Sequence, residues 1–153
     1  MYKRILVAVD GSEVSNKALG VAVKLAATVY ARVRLVHVLE APSHLPGADQ
    51  SSPVAAAYLE TLRQGGDHLL SEAAGHVRRA GVEVEYALPE SWTERAGAVV
   101  VNQAKLWNAD LIVVGTHGRR GVLRALMGSD AEYIVRHAAQ NVLTVRGDDE
   151  AGG

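Results

Sequence analysis

The chain has no cysteine. Disulfides and thiolate metal sites are therefore excluded, and nothing points to an oxidising compartment. It also has almost no net charge: 16 lysines and arginines oppose 17 acids, giving a formal charge of −1. The whole molecule thus offers no field for a polyanion. No apolar run approaches the ~18–20 residues that span a bilayer. The first four residues, Met-Tyr-Lys-Arg, lead straight into a strand-like segment. They lack the longer apolar stretch and small-residue cleavage site of a signal peptide. The expectation is a cytoplasmic protein with neither nucleic acid nor membrane as a partner.

What is present fits one domain. The chain has 153 residues, 48% of them apolar, enough for a core without staples. The domain is expected to cover residues 1–147, with an acidic, glycine-rich flexible tail at 148–153. Residues 5–9 are an unbroken apolar run, as in a strand buried on both faces. Asp10-Gly11-Ser12 follows as a turn that can also cap a helix. Helical spacing of Val14, Ala18, Val21, Leu25 and Val29 predicts a helix over 13–30. Residues 33–39 read as a second strand. Residues 41–53 hold three of the four prolines and read as a loop.

A long helix is predicted over 54–80. Gly65-Gly66 is its weak point, because each glycine costs roughly 0.5–1 kcal/mol relative to alanine. Gly81 reads as its stop. Residues 82–88 begin by alternating apolar and acidic side chains, which predicts an edge-ward strand with one face in water. A third helix over 93–108, a buried strand over 111–114, a helix over 123–137 and a last strand over 142–145 complete the order. Five strands alternating with helices predict an α/β fold: a single doubly wound domain with a five-stranded parallel sheet and helices on both faces. Ligands in such sheets sit beyond the carboxyl ends of the strands, where strand order reverses.

Two strand ends carry chemistry-bearing residues. After the first strand, Asp10 is suited to a ribose hydroxyl or to a metal ion on a phosphate chain. Alternatively, Asp10 and Ser12 serve only to cap the first helix. After the fourth strand, Gly115 and Gly118 let the main chain turn and bring its amides near a ligand. Gly128-Ser129 stands at or just before a helical turn, where free amides and the helix dipole favour an anion. Arg119, Arg120 and Arg124 add positive charge with no acid between residues 115 and 129. The segment is neither a P-loop nor a dinucleotide fingerprint, and a turn using glycine only for backbone freedom remains the alternative.

The remaining candidates lead elsewhere. His68 and His76 lie too far apart on one helix to share a metal. His37 reads as a packed strand residue, and His137 as a charge at a helix end. His44 falls in the loop. His117, inside the glycine segment, is the histidine that could meet a ligand. No histidine has an acid partner and a nucleophile, so a hydrolase triad has no support. Trp92 and Trp107 flank the third helix as core or interface residues.

The spacing Gly115-x-x-Gly118, nine residues, Gly128-Ser129 resembles the nucleotide-binding motif of the universal stress protein family. The opening Ile-Leu-Val-Ala-Val-Asp-Gly-Ser is similar to that family's first strand and turn. So are Ala-Asp-Leu-Ile-Val-Val-Gly-Thr-His-Gly at 109–118 and Glu-Tyr-Ile-Val-Arg-His-Ala at 132–138. The resemblance runs from residue 2 to about 146. It implies strand order 3-2-1-4-5 with an adenine nucleotide, ATP with Mg²⁺, between strands 1 and 4. It implies adenine near Ala8, Val9 and Val38, and ribose or Mg²⁺ at Asp10. Val114 would line the base or ribose pocket. Gly115, Thr116, His117, Gly118, Arg119, Gly128 and Ser129 would hold the phosphates, with Asp130 and Ala131 beside them. It also implies a homodimer through the last strand, Val142, Leu143, Thr144 and Val145, an edge otherwise left unpaired.

Three positions depart from the family's pattern. Asp130 and Ala131 stand where many members carry an uncharged residue and then a small one, sometimes a serine. Asp130 would set a negative charge beside a triphosphate unless it points away or meets Mg²⁺. Asn141 stands where many relatives have proline, and only a local effect is expected. The function implied is a dimeric, nucleotide-dependent stress-response module, with slow ATP hydrolysis at most. The alternatives are a nucleotide-independent dimer and an adenylate-using enzyme.

Overall fold

The computed structural model describes residues 1–41, 52–117 and 127–147. The elements follow in the order β1 (Arg4–Ala8), α1 (Glu13–Val29), β2 (Arg32–Val36), β3 (Leu39–Glu40), α2 (Pro53–Arg79), β4 (Val84–Ala87), β5 (Glu90–Ser91), α3 (Ala96–Trp107), β6 (Leu111–Gly115), α4 (Ser129–His137) and β7 (Asn141–Val145). Five strands form one parallel sheet in the order β4-β2-β1-β6-β7. Counted over those five strands, this is the predicted 3-2-1-4-5.

Strand alternation explains the two layers of helices. Ile5, Val7, Val9, Val33, Leu35, Leu111 and Val113 point to one face and pack with α1 and α2. Leu6, Val36, Ile112 and Val114 point to the other and pack with Val100, Ala104 and Trp107 of α3 and Ala131 and Ile134 of α4. Ile5, Leu6 and Val7 are fully buried, and each such side chain contributes about 1.5–3 kcal/mol. β4 is an edge strand, as its alternation predicts. Glu83, just before it, and Glu85 within it meet Arg32 and Arg34 at 2.8 and 3.3 Å. Glu85 also accepts from the Trp107 indole at 2.9 Å, and Arg4 and Arg34 lie over that ring. Trp107 is therefore a core residue, buried at the foot of α3.

Three predicted elements differ in extent. The second strand stops at Val36, and its continuation, β3, pairs separately with β5. The register across the break is continuous, with Val36 opposite Ala87 and Leu39 opposite Glu90. His37 and Leu39 still donate to Ala87 and Pro89 at 3.2 and 2.9 Å. The return bond is lost because Pro89 has no N–H to give the ladder. The third helix starts at Ala96 rather than at residue 93. Ser91 holds the preceding residues in a turn, its hydroxyl accepting from the Glu94 amide and donating to the Glu94 carbonyl. The fourth helix has its cap at Gly128 and begins at Ser129, not at residue 123. Residues 42–51 of the predicted loop at 41–53, the glycine-loop interior at 118–126 and the tail at 148–153 lie outside the described residues. Among the described residues, no helix is long and apolar enough to cross a membrane.

The expected weak point in α2 is absent: the helix runs unbroken from Pro53 to Arg79 and ends before Gly81, whose φ is +77°. Its two mid-helix glycines differ. Gly65 is exposed and faces open space. Gly66 is buried, and a Cβ there would lie 2.7 Å from Leu88 Cδ1, 3.1 Å from His37 Cδ2 and 3.3 Å from Leu39 Cδ2. One glycine is thus a conformational cost, and the other lets α2 lie close to the ends of β2 and β4. Gly65→Ala is expected to raise stability by about 0.5–1 kcal/mol. Gly66→Val is expected to lower it by about 1–3 kcal/mol through overpacking. Urea midpoints of the two variants check both signs, and equal shifts would refute the distinction.

Candidate nucleotide site

The order of strands in the sheet reverses at β1: the chain moves from β1 to β2 on one side and later returns to β6 on the other. The carboxyl ends of β1, β2 and β6 therefore open together. Ala8 and Val38 are half-buried there and Val114 is buried, all three against the core under α3 and α4. Val9 points the opposite way, into the core under α1 and α2. It lies beside the crevice through its backbone.

The turn after β1 is held by a short network. The Asp10 amide donates to Ser15 Oγ at 3.0 Å, the Ser12 amide to Asp10 Oδ1 at 2.9 Å, and the Ser15 amide to Ser12 Oγ at 3.2 Å. Gly11 between them has φ +83°, which glycine adopts without strain. Ser12 is the N-cap of α1, and Asp10 orders the turn while remaining at the crevice. The capping network read from the sequence is present. His37 adds a tie that its sequence position did not reveal. Its Nδ1 lies 2.8 Å from the Val9 carbonyl. A carbonyl only accepts, so Nδ1 carries the proton and donates. This bond clamps the end of β2 onto the end of β1.

Across the crevice, Gly115 ends β6 against the first turn of α1. A Cβ there would lie 3.0 Å from Val14 Cγ1 and 3.2 Å from the Val14 carbonyl carbon. Thr116 is buried, donates its amide to Val145 and accepts from the Gly128 amide. That last bond closes the base of the glycine loop, joining the end of β6 to the start of α4. His117 is half-buried, and its Nδ1 is buried with no hydrogen-bond partner among the described residues. Gly118, Arg119, Arg120 and Arg124 lie outside the described residues.

Gly128 caps α4 with extended backbone, φ −64° and ψ 157°, and as glycine brings no side chain to that helix end. Ser129 is exposed. The two unusual neighbours turn elsewhere. Asp130 Oδ1 accepts the Gly97 amide of α3 at 2.9 Å. Ala131 is buried among the α3 and α4 core residues. Asn141, at the family's proline position, donates from Nδ2 to the Tyr2 hydroxyl at 3.0 Å and starts β7 opposite Leu111. Val142, Leu143 and Thr144 are half-buried and Val145 is buried on that strand, which forms the sheet edge opposite β4.

Away from the crevice, a cleft of about 250 Å³ is lined by Ala56, Leu59, Arg63, Glu90 and Trp92. Arg63 is held above its ordinary pKa first by its hydrogen bond to Glu90 and then by that to Glu60. Among the described residues, no group of three or more His, Asp or Glu side chains is arranged to hold a metal ion.

The class is now defined: a doubly wound α/β domain whose crevice lies at the topological switch point, bordered by a glycine-containing loop and a helix end capped by glycine. The sequence profile of the universal stress protein family matches residues 1–146, and the chain belongs to that family. A protein of Staphylococcus aureus (strain USA300) named as a universal stress protein is 32% identical over 153 residues, covering 97% of this chain and 86% of its own. The crystal structure of a family member from Burkholderia pseudomallei is 33% identical with a TM-score of 0.76, covering 94% of this chain and 95% of that one. Two further family structures, each 25% identical, hold nucleotides. One is in complex with cAMP (TM-score 0.67, covering 95% of this chain and 97% of its own). The other, from Archaeoglobus fulgidus, is in complex with dAMP (TM-score 0.66, covering 94% and 98%).

The approach of Gly115 to Val14 gives a direct test of the crevice wall. Gly115→Val is expected to cost about 1–3 kcal/mol of stability, because the added atoms meet backbone as well as side chain. Thermal and urea unfolding measure it, and an unchanged midpoint would mean that β6 and α1 do not meet this closely.

Proposed function

We propose that this protein binds one adenine nucleotide per chain, ATP with Mg²⁺, between the ends of β1 and β6. In this reading it acts in the cytoplasm as a dimeric, nucleotide-dependent stress-response module. The observation that carries the proposal is the amino end of α4. Its cap is Gly128, which brings no side chain, it opens at the switch-point crevice, and one oxygen of the neighbouring carboxylate is engaged by the Gly97 amide. An exposed helix start of this kind favours an anion through its amides and its dipole.

The residues present fit the nucleotide in chemical type. Ala8, Val38 and Val114 offer an apolar wall for a base. The Asp10 carboxylate is the group assigned to ribose or to Mg²⁺. The amides from Gly115 to Gly118, with Arg119, Gly128 and Ser129, are assigned to the phosphates. Charge-assisted bonds of this kind contribute about 1.5–3 kcal/mol each, so a few of them hold a phosphate chain. The nucleotides in the two related structures support the adenine class. Dimerisation is assigned to the β7 edge, whose unpaired groups suit pairing with a second copy.

Calorimetric titration of nucleotide-stripped protein with ATP and Mg²⁺ tests the site. Saturable binding near one site per chain is expected. Gly118→Trp should abolish it, and Ser129→Ala should weaken it about tenfold, the scale of one such bond. No binding at millimolar ATP would leave the nucleotide-independent dimer as the better account.

A further inference from the structure

We propose that Asp130 is a positioning residue that ties the phosphate-facing start of α4 to the start of α3. The proposal rests on the nucleotide reading of the crevice and adds a coupling within it. α3 has no cap of its own. Its N-cap position is Arg95, whose side chain makes no capping bond. Gly97 is two residues into the helix, and its amide is the donor that a local serine or aspartate would ordinarily satisfy. Here the acceptor comes from Asp130 in α4, 33 residues later.

The fit is close on both sides. A Cβ at position 97 would lie 2.9 Å from the Asp130 carbonyl oxygen, 3.2 Å from its Cα and 3.2 Å from Oδ1. Two of these are backbone atoms or oxygens bound to backbone, so glycine is required for α4 to come this near. A second contact joins the same helices: the Arg95 guanidinium lies 5.5 Å from the centre of the Tyr133 ring. Asp130 also stands in the first turn of its own helix. Its charge therefore lies by two helix starts, each of which favours an anion.

Two consequences follow for the site. One oxygen of the Asp130 carboxylate is bound by the Gly97 amide, so the residue is expected to act by positioning α4 and not to discriminate between mono- and triphosphate. The first turn of α4, which carries the Ser129 amide and hydroxyl, is oriented through α3 as well as through the bond from the Gly128 amide to Thr116. A change at the start of α4 is thereby linked to α3 through this hydrogen bond as well as through the packing of the two helices.

The test compares wild type, Asp130→Ala, Asp130→Asn and Gly97→Ala by titration with adenosine, AMP and ATP, together with amide hydrogen exchange. Asp130→Ala and Gly97→Ala should weaken AMP and ATP about tenfold while leaving adenosine within about twofold, because only phosphates meet the displaced turn. Asparagine still offers an oxygen to Gly97, so Asp130→Asn should restore both phosphorylated ligands. Exchange at Gly97 and at residues 129–131 should quicken in Asp130→Ala and slow again in Asp130→Asn.

Unchanged AMP and ATP affinity in Asp130→Ala would overturn the proposal. So would an equal loss of adenosine, which marks general damage. A selective gain of ATP over AMP in Asp130→Asn would also overturn it, by showing that the carboxylate faces the phosphates. Should wild type bind none of the three ligands, the nucleotide reading fails, and exchange alone decides the coupling. Unaltered protection at 129–131 in Asp130→Ala would then end it.

Discussion

The strand β1 is the constraint on which the structure depends. It is paired along both edges and buried on both faces, so its apolar residues must be covered by helices above and below. Parallel neighbours cannot be joined by tight turns, and each crossover therefore carries a helix or a long loop. Because β2 lies on one side and β6 on the other, the helices that follow β1 and β6 cover opposite faces of the sheet. The crevice at its carboxyl end is a consequence of that divergence. The same strand thus accounts for the two-layer core and for where a ligand would sit.

Close approach is the second theme, and glycine is its means. Gly66 brings α2 down onto the ends of β2 and β4. Gly115 brings β6 against the start of α1. Gly97 brings α3 against α4. In each case the absent Cβ is space that a neighbouring element occupies. Two of the three stand at the rim of the crevice or one helix removed from it. His37 works to the same end by a different route, bonding the Val9 carbonyl and holding two strand ends in register where Pro89 has interrupted the ladder beyond them.

Asp130 shows how a residue's environment changes its meaning. Beside a glycine-serine motif it reads as a charge that opposes phosphate. In the fold it supplies the missing cap of α3. Ala131, which lacks the hydroxyl of some relatives, is a core residue between α3 and α4. These two of the departures from the family's pattern therefore serve helix packing, and the crevice keeps the helix end, the strand ends and Asp10.

By itself the sequence determined the element order, the parallel sheet and the family. Apolar runs, helical spacing and the glycine-serine pattern are local signals that survive without coordinates. The strand order followed from the family resemblance, and the candidate site from the rule that ligands gather at strand ends. The tertiary structure decided what depends on partners distant in sequence. The cap of α3 comes from 33 residues away. The clamp on Val9 comes from 28 residues away. Whether Gly65 or Gly66 is a cost or a contact depends on which faces the sheet. These are questions of which groups meet in space, and composition and periodicity along the chain carry no record of that.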